Sequence, residues 1–146
     1  MALLFLRGQA PDSHGLLLAF WALGLVWATD IGAYFAGRSI GGPKLAPRVS
    51  PSKTWSGLGG GVLAALLTGF LLYRFADLPI QLAAASGLLA VAAQLGDLLE
   101  SAMKRRAGVK DSSNLLPGHG GVMDRLDGVV AAAPLAALLY LVLAGA

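Results

Sequence analysis

The hydrophobic positions of the chain gather into four long stretches separated by polar, mostly basic segments. They run from about Leu16 to Phe35, Leu58 to Tyr73, Leu78 to Leu99 and Leu126 to Leu143. A helix that crosses a bilayer needs about 20 mostly apolar residues, so each stretch predicts one transmembrane helix. The second is short by itself and is extended to begin at Trp55; it opens on Gly59, Gly60 and Gly61. The segment Met1 to Leu6 is apolar but too short to cross. It lacks the basic flank and small-residue cleavage site of a secretory signal, and it reads as the remnant of a preceding helix or an interfacial tail. No internal repeat or low-complexity linker divides the chain. The expectation is a single all-α domain over residues 1–146, a polytopic membrane helix bundle of about four transmembrane helices.

Composition narrows the choice. Hydrophobic residues make up 56% of the chain and charged residues 13%, whereas soluble domains run near 45–50% apolar and about 25% charged. A water-soluble globule is therefore disfavoured, and so is disorder, which requires low hydrophobicity and high net charge. The absence of cysteine removes disulfides, thiolate metal sites and cysteine nucleophiles. A net charge of +3 is too small to argue for nucleic acid, and none is expected as a partner. Placement of the basic residues is more telling. Arg38, Lys44, Arg48 and Lys53 lie between the first two stretches, and Lys104, Arg105, Arg106, Lys110 and Arg125 between the last two. By the positive-inside rule both basic loops face the cytoplasm and both termini face away.

Five acids remain to be explained. Asp30, Asp97, Glu100, Asp124 and Asp127 all fall on the cytoplasmic side of their stretches, where charges normally face a protein interior or a wet cavity. Asp97, Glu100, Ser101 and Lys104 share one helix face by their i, i+3, i+4, i+7 spacing, and Asp124 and Asp127 share another. The loop between the last two stretches would bring Asp97 beside Asp124. Converging carboxylates would be compensated by a divalent cation, and an all-oxygen set favours Mg²⁺ over Zn²⁺; alternatively, the acids pair with Arg105, Arg106 and Arg125. The loop Lys110-Asp111-Ser112-Ser113-Asn114-Leu115-Leu116-Pro117-Gly118-His119-Gly120-Gly121 leads into a helix start and suits an anion. His119 there would donate to phosphate, bind metal or act as acid or base. Ser50-Pro51-Ser52-Lys53-Thr54 also suits phosphate but lacks the Walker order. An equally physical reading has Gly57, Gly59, Gly60 and Gly61 permitting close helix packing. Trp21, Trp27 and Trp55 read as interface anchors or packing, His14 as a solvated interfacial residue, and Asp30 with Tyr34 as the wall of a polar pocket.

These residues resemble a known signature. Ser101 to Arg105, Lys110-Asp111 and Leu116-Pro117-Gly118-His119-Gly120-Gly121-Val122-Met123-Asp124-Arg125-Leu126-Asp127 are similar to the phosphatidate cytidylyltransferase, or CDP-diacylglycerol synthase, family. The likeness extends through Gln94 to Ser101, Asp30 to Arg38 and Ser50 to Gly57, covering roughly residues 28 to 130. It implies an integral enzyme of the bacterial inner membrane that makes CDP-diacylglycerol and pyrophosphate from CTP and phosphatidic acid with Mg²⁺, its site facing the cytoplasm, and a homodimer. Carried over, Asp97 and Asp124 would be metal ligands. Lys104, Arg105, Lys110, Asp111, His119, Arg125 and Asp127 would serve catalysis. Asp30, Tyr34, Ser50, Lys53, Thr54, Glu100, Ser101, Gly118, Gly120 and Gly121 would bind substrate. Family members are nearly twice this length, so the chain corresponds to their C-terminal half. Competing readings are a CTP-dependent lipid kinase or related transferase, a cation-coupled transporter, and an inactive fragment or membrane scaffold.

Overall fold

The computed structural model describes residues 1–8, 13–108 and 123–144, with side chains over 1–8, 15–108 and 128–143. The described elements are α1 (Ala2–Gly8), α2 (Ser13–Ser39), β1 (Lys44–Ala46), β2 (Ser50–Thr54), α3 (Trp55–Ala76), α4 (Ile80–Arg106) and α5 (Met123–Ala144). Three helices, α2, α3 and α4, are long and apolar enough to cross a membrane, and Gly128–Leu143 of α5 forms a shorter apolar helix. The four predicted stretches are thus four helices of a membrane bundle. Phe20, Leu63, Phe70 and Leu88 are each more than half exposed on its outside. Lipid rather than water is the solvent that tolerates such a surface.

Short, rigid connections set the helix order. Asp77 closes α3 in the left-handed region at φ 57°, and Pro79 precedes the first turn of α4. Only three residues therefore separate α3 from α4, which makes them antiparallel neighbours. At the other end of α3, Gly41 and Gly42 adopt φ of 66° and 104° and turn the chain out of α2 into a hairpin. Its strands pair antiparallel, Lys44 opposite Thr54 and Ala46 opposite Ser50. Pro51 is tolerated in β2 because a two-stranded ribbon consists only of edges.

The core runs along the bundle axis through Trp21 and Leu25 of α2, Leu82 and Leu89 of α4, and Ala132 and Ala136 of α5. Trp21 is fully buried, and its indole N–H donates to Ser86 Oγ at 3.0 Å, tying α2 to α4. Trp27 and Trp55 are more than half exposed, so only one of the three tryptophans is a core residue. The short α1 is neither a spanning segment nor a loose tail. It packs on α2 and α5, and Leu6 is completely buried in the common core.

Glycines bring α2 and α3 into backbone contact. A Cβ added at Gly60 would lie 2.2 Å from Ala36 Cβ and 2.8 Å from the Gly32 carbonyl oxygen. One added at Gly32 would lie 2.5 Å from Ala64 Cβ and 2.6 Å from the Gly60 oxygen. Gly57 faces Gly37 in the same way, whereas Gly59 points into open space. Lipid tails are as apolar as leucine, so helices in a bilayer associate through such close packing. The packing reading of this glycine run therefore holds for Gly57 and Gly60, with Gly61 packed against Thr29, and fails for Gly59. Gly60→Ala is expected to destabilise the bundle by about 1–3 kcal/mol through overpacking, read as a lowered thermal midpoint in detergent. Gly59→Ala is expected to leave the midpoint unchanged or raise it, since alanine gains about 1 kcal/mol of helix propensity over glycine. Equal midpoints for the two variants would contradict this packing.

Candidate functional site

A cavity of about 420 Å³ opens between the C-terminal part of α2, strand β2, the start of α3 and the middle of α4. Helix periodicity places Asp30, Tyr34 and Arg38 on one face of α2, one turn apart, with Ala33 and Gly37 beside them. All five line the cavity. The Arg38 guanidinium donates to Tyr34 Oη at 3.1 Å and lies 6.0 Å from the ring centroid. Opposite stands Asp97 of α4, nine residues before the helix ends. At about 1.5 Å per residue, α4 runs on some 14 Å beyond it.

The hairpin delivers the cation. Lys53 of β2 forms an ion pair with Asp97 and donates to the backbone carbonyl of Gln94 at 3.3 Å. Asp30, Asp97 and Lys53 are close enough for their charges to act on one another. Two acids and two bases, Asp30, Asp97, Lys53 and Arg38, therefore line the cavity with formal charges that cancel. Thr54 also lines it, but its hydroxyl caps α3, accepting from the Gly57 N–H at 3.1 Å. The cap is anchored further: Ser56 shares a 3.0 Å hydrogen bond with Thr54 and donates to the Gly41 carbonyl. Trp55 N donates to Pro43 O at 3.2 Å, closing the hairpin over the helix start. Gln94 is buried, and its Nε2 has no hydrogen-bond partner among the described residues. A buried donor in that state is costly unless something accepts from it.

A second cavity of about 350 Å³ lies next to the first, between β2 and the end of α4, lined by Ser50, Ser52, Ser101, Lys104 and Arg105 with Val49 and Pro51. Ser52 lines both cavities. Glu100 pairs with Lys104 at 2.8 Å, one turn apart on the face that the spacing of α4 predicts. Lys53 of the first basic segment and Lys104 and Arg105 of the second thus lie at the same end of the bundle, as the charge pattern anticipates.

The structure brings together Asp30, Tyr34, Lys53, Thr54 and Asp97 in one cavity, and Ser50, Ser101, Lys104 and Arg105 in its neighbour. Among the described residues Asp97 pairs with Lys53 and Glu100 with Lys104, whereas the pairing weighed from the sequence named Arg105, Arg106 and Arg125. Among the described residues no group of three acids, histidines or cysteines gathers around one point. Lys110, Asp111, Gly118, His119, Gly120 and Gly121 lie outside the described residues. Asp124, Arg125 and Asp127 fall in the first two turns of α5, with side chains outside the described set, as is that of His14. Arg38 and Gln94 line the cavity without a site role from the sequence, and Ser52, part of the phosphate-suited run, lines both cavities. Arg38 stood one turn beyond Tyr34 and two beyond Asp30, which was signal enough.

Comparison with known proteins places this geometry. The model of the cytidylyltransferase family matches residues 1–143. The chain is 51% identical over 143 residues to the phosphatidate cytidylyltransferase of Brucella suis biovar 1 (strain 1330), covering 97% of this chain and 51% of that protein. It is 46% identical over 143 residues to that of Bacillus subtilis (strain 168), covering 96% and 52%. It is 41% identical over 145 residues to that of Rickettsia bellii (strain RML369-C), covering 92% and 62%. The chain spans about half the length of the first of these relatives. With a match that runs almost from end to end and takes in every element lining the two cavities, the chain belongs to the cytidylyltransferase family.

Proposed function

We propose that the paired cavities transfer the cytidylyl group of CTP to phosphatidic acid, giving CDP-diacylglycerol and pyrophosphate. The observation that carries this reading is the charge-balanced cavity of Asp30, Asp97, Lys53 and Arg38, which shares Ser52 with a second one bearing Lys104 and Arg105. Both reactants are polyanions, so the site's main task is charge neutralisation and in-line alignment. A phosphatidate oxygen forms a bond to the α-phosphorus of CTP, the bond from that phosphorus to the α,β-bridging oxygen breaks, and pyrophosphate leaves with the electron pair. The attacking oxygen is already ionised, which removes the need for a general base. Lys53 and Arg38 would hold nucleotide phosphates, and Ser50, Ser101, Lys104 and Arg105 the lipid phosphate. Lys110, Asp111, His119, Arg125 and Asp127 keep the catalytic roles that the family likeness implies.

Magnesium is part of the proposal. Asp30 and Asp97 present oxygen donors only, and Mg²⁺ is commonly held by one or two carboxylates together with substrate phosphates. Asp124 would complete the set from the start of α5. Bound there, the ion would supply charge neutralisation to the phosphates and to departing pyrophosphate. We place the site on the cytoplasmic side of a bacterial inner membrane, on the strength of the basic residues gathered at its end, with two copies associating laterally.

The test is incubation of the purified membrane protein with CTP labelled in the cytidine, phosphatidate and Mg²⁺. Label is expected to enter the lipid fraction. Release of labelled CDP with no label in lipid would identify a kinase instead. Asp97→Asn is expected to cut transfer by about 100-fold or more, the scale on which loss of a charge-stabilising group acts, while the protein still inserts in membranes. Near-normal transfer in that variant would contradict the assignment.

A further inference from the structure

Lys53 occupies an unusual position for a residue meant to hold phosphate. Its ammonium already has two partners, the Asp97 carboxylate and the Gln94 carbonyl oxygen. Its side chain is 19% exposed and that of Asp97 is 32% exposed. A lysine so engaged is not waiting for an anion, and an aspartate so engaged is not waiting for a metal. The pair sits in a cavity whose four charges cancel. A divalent cation arriving at Asp97 would raise the formal charge to +2 and would meet the ammonium at close range.

We propose that Lys53 is an exchangeable counterion. It neutralises Asp97 while the cavity holds no metal, and it gives Asp97 up when a divalent cation enters. The ammonium then turns to the phosphate that accompanies the cation. This rests on the reading of Asp97 as a metal ligand. Three features of the site suit the exchange. Lysine swings a compact charge on a flexible four-carbon stem, unlike the planar fork of arginine. Lys53 is carried by a two-stranded hairpin rather than by a helix of the bundle, so the exchange breaks its two bonds to α4 without moving a helix. Lys53 itself lines the first cavity, which keeps the freed ammonium within reach of a phosphate bound there.

The exchange has a thermodynamic consequence. Before substrate arrives, Lys53 competes with the metal for one carboxylate and holds metal affinity down. A phosphate offers the ammonium another partner and relieves that competition, so metal and nucleotide assist each other's binding, with equal effect in both directions. Metal alone would thus bind weakly, and the site would charge only when both are present.

The experiment uses Mn²⁺ as the probe, with free ion counted by its paramagnetic resonance spectrum, on the purified chain in detergent without nucleotide. Lys53→Met keeps the length of the side chain and removes its charge. It is expected to bind Mn²⁺ about tenfold more tightly than the parent protein, the order of effect for removing a like charge within a few ångström. Asp97→Asn is expected to lose that binding, which locates the probe. Lys53→Gln serves as the second neutral variant if Lys53→Met does not give a monodisperse helical protein. Binding no tighter in the neutral Lys53 variants, with loss in Asp97→Asn, overturns the exchange alone. Unchanged binding in Asp97→Asn overturns the exchange and the metal reading together.

Discussion

Backbone contact between α2 and α3 at Gly32 and Gly60 fixes the spacing on which the rest of the molecule depends. With no side chain between them, the two helices lie close enough for Thr54, at the head of α3, to come within 3.0 Å of the position a Gly37 Cβ would take. That contact pins the end of the hairpin against α2. Lys53, one residue earlier, is thereby aimed across the cavity at α4, where Asp97 receives it. A wider helix pair would leave the hairpin hanging outside the bundle and the two acids unopposed. In lipid, where apolar side chains gain nothing by leaving solvent, small residues are the means of such an approach.

Electrostatics then decides what the cavity is for. Charges at the edge of a bilayer feel a lower dielectric than water provides, so an unpaired acid is expensive and a paired one is affordable only in good geometry. Asp30 and Asp97 are held with Lys53 and Arg38 at the level where α3 begins. The outer end of α4, with Lys104 and Arg105, extends beyond it toward water. On the proposed reading, a lipid phosphate at the membrane surface and a soluble triphosphate would both reach that level, with the acyl chains left in the hydrocarbon. On that same reading, the balance of charge among Asp30, Asp97, Lys53 and Arg38 favours taking up metal and polyanion together.

Much of this was legible in the sequence, for local reasons. Four apolar stretches are a property of neighbouring residues, and so is the shared face of Asp97, Glu100, Ser101 and Lys104. Loop charge gave the common end of the two basic segments. The hairpin was not legible: Pro43, Pro47 and Pro51 punctuate it, its hydroxyls read as loop, and its pairing is held by a cap and a turn rather than by apolar alternation. That α1 tucks Leu6 into the core depends on α2 and α5, far away in the chain. The opposition of Asp30 to Asp97 depends on the glycine seam, which no spacing within a single helix reveals. The juxtaposition of Asp97 with Asp124 concerns the Asp124 side chain, which lies outside the described residues.

The natural absence of cysteine allows the central claim to be tested by a single introduced thiol. Ser52→Cys places one on the wall shared by both cavities, and Leu88→Cys places another on the lipid-facing side of α4 as a control. The account predicts that CTP with Mg²⁺, and phosphatidate separately, slow alkylation of the Ser52→Cys thiol by a soluble reagent, and leave the Leu88→Cys thiol unaffected. Unaltered alkylation at position 52 in protein that still binds CTP would place the nucleotide elsewhere and contradict the account.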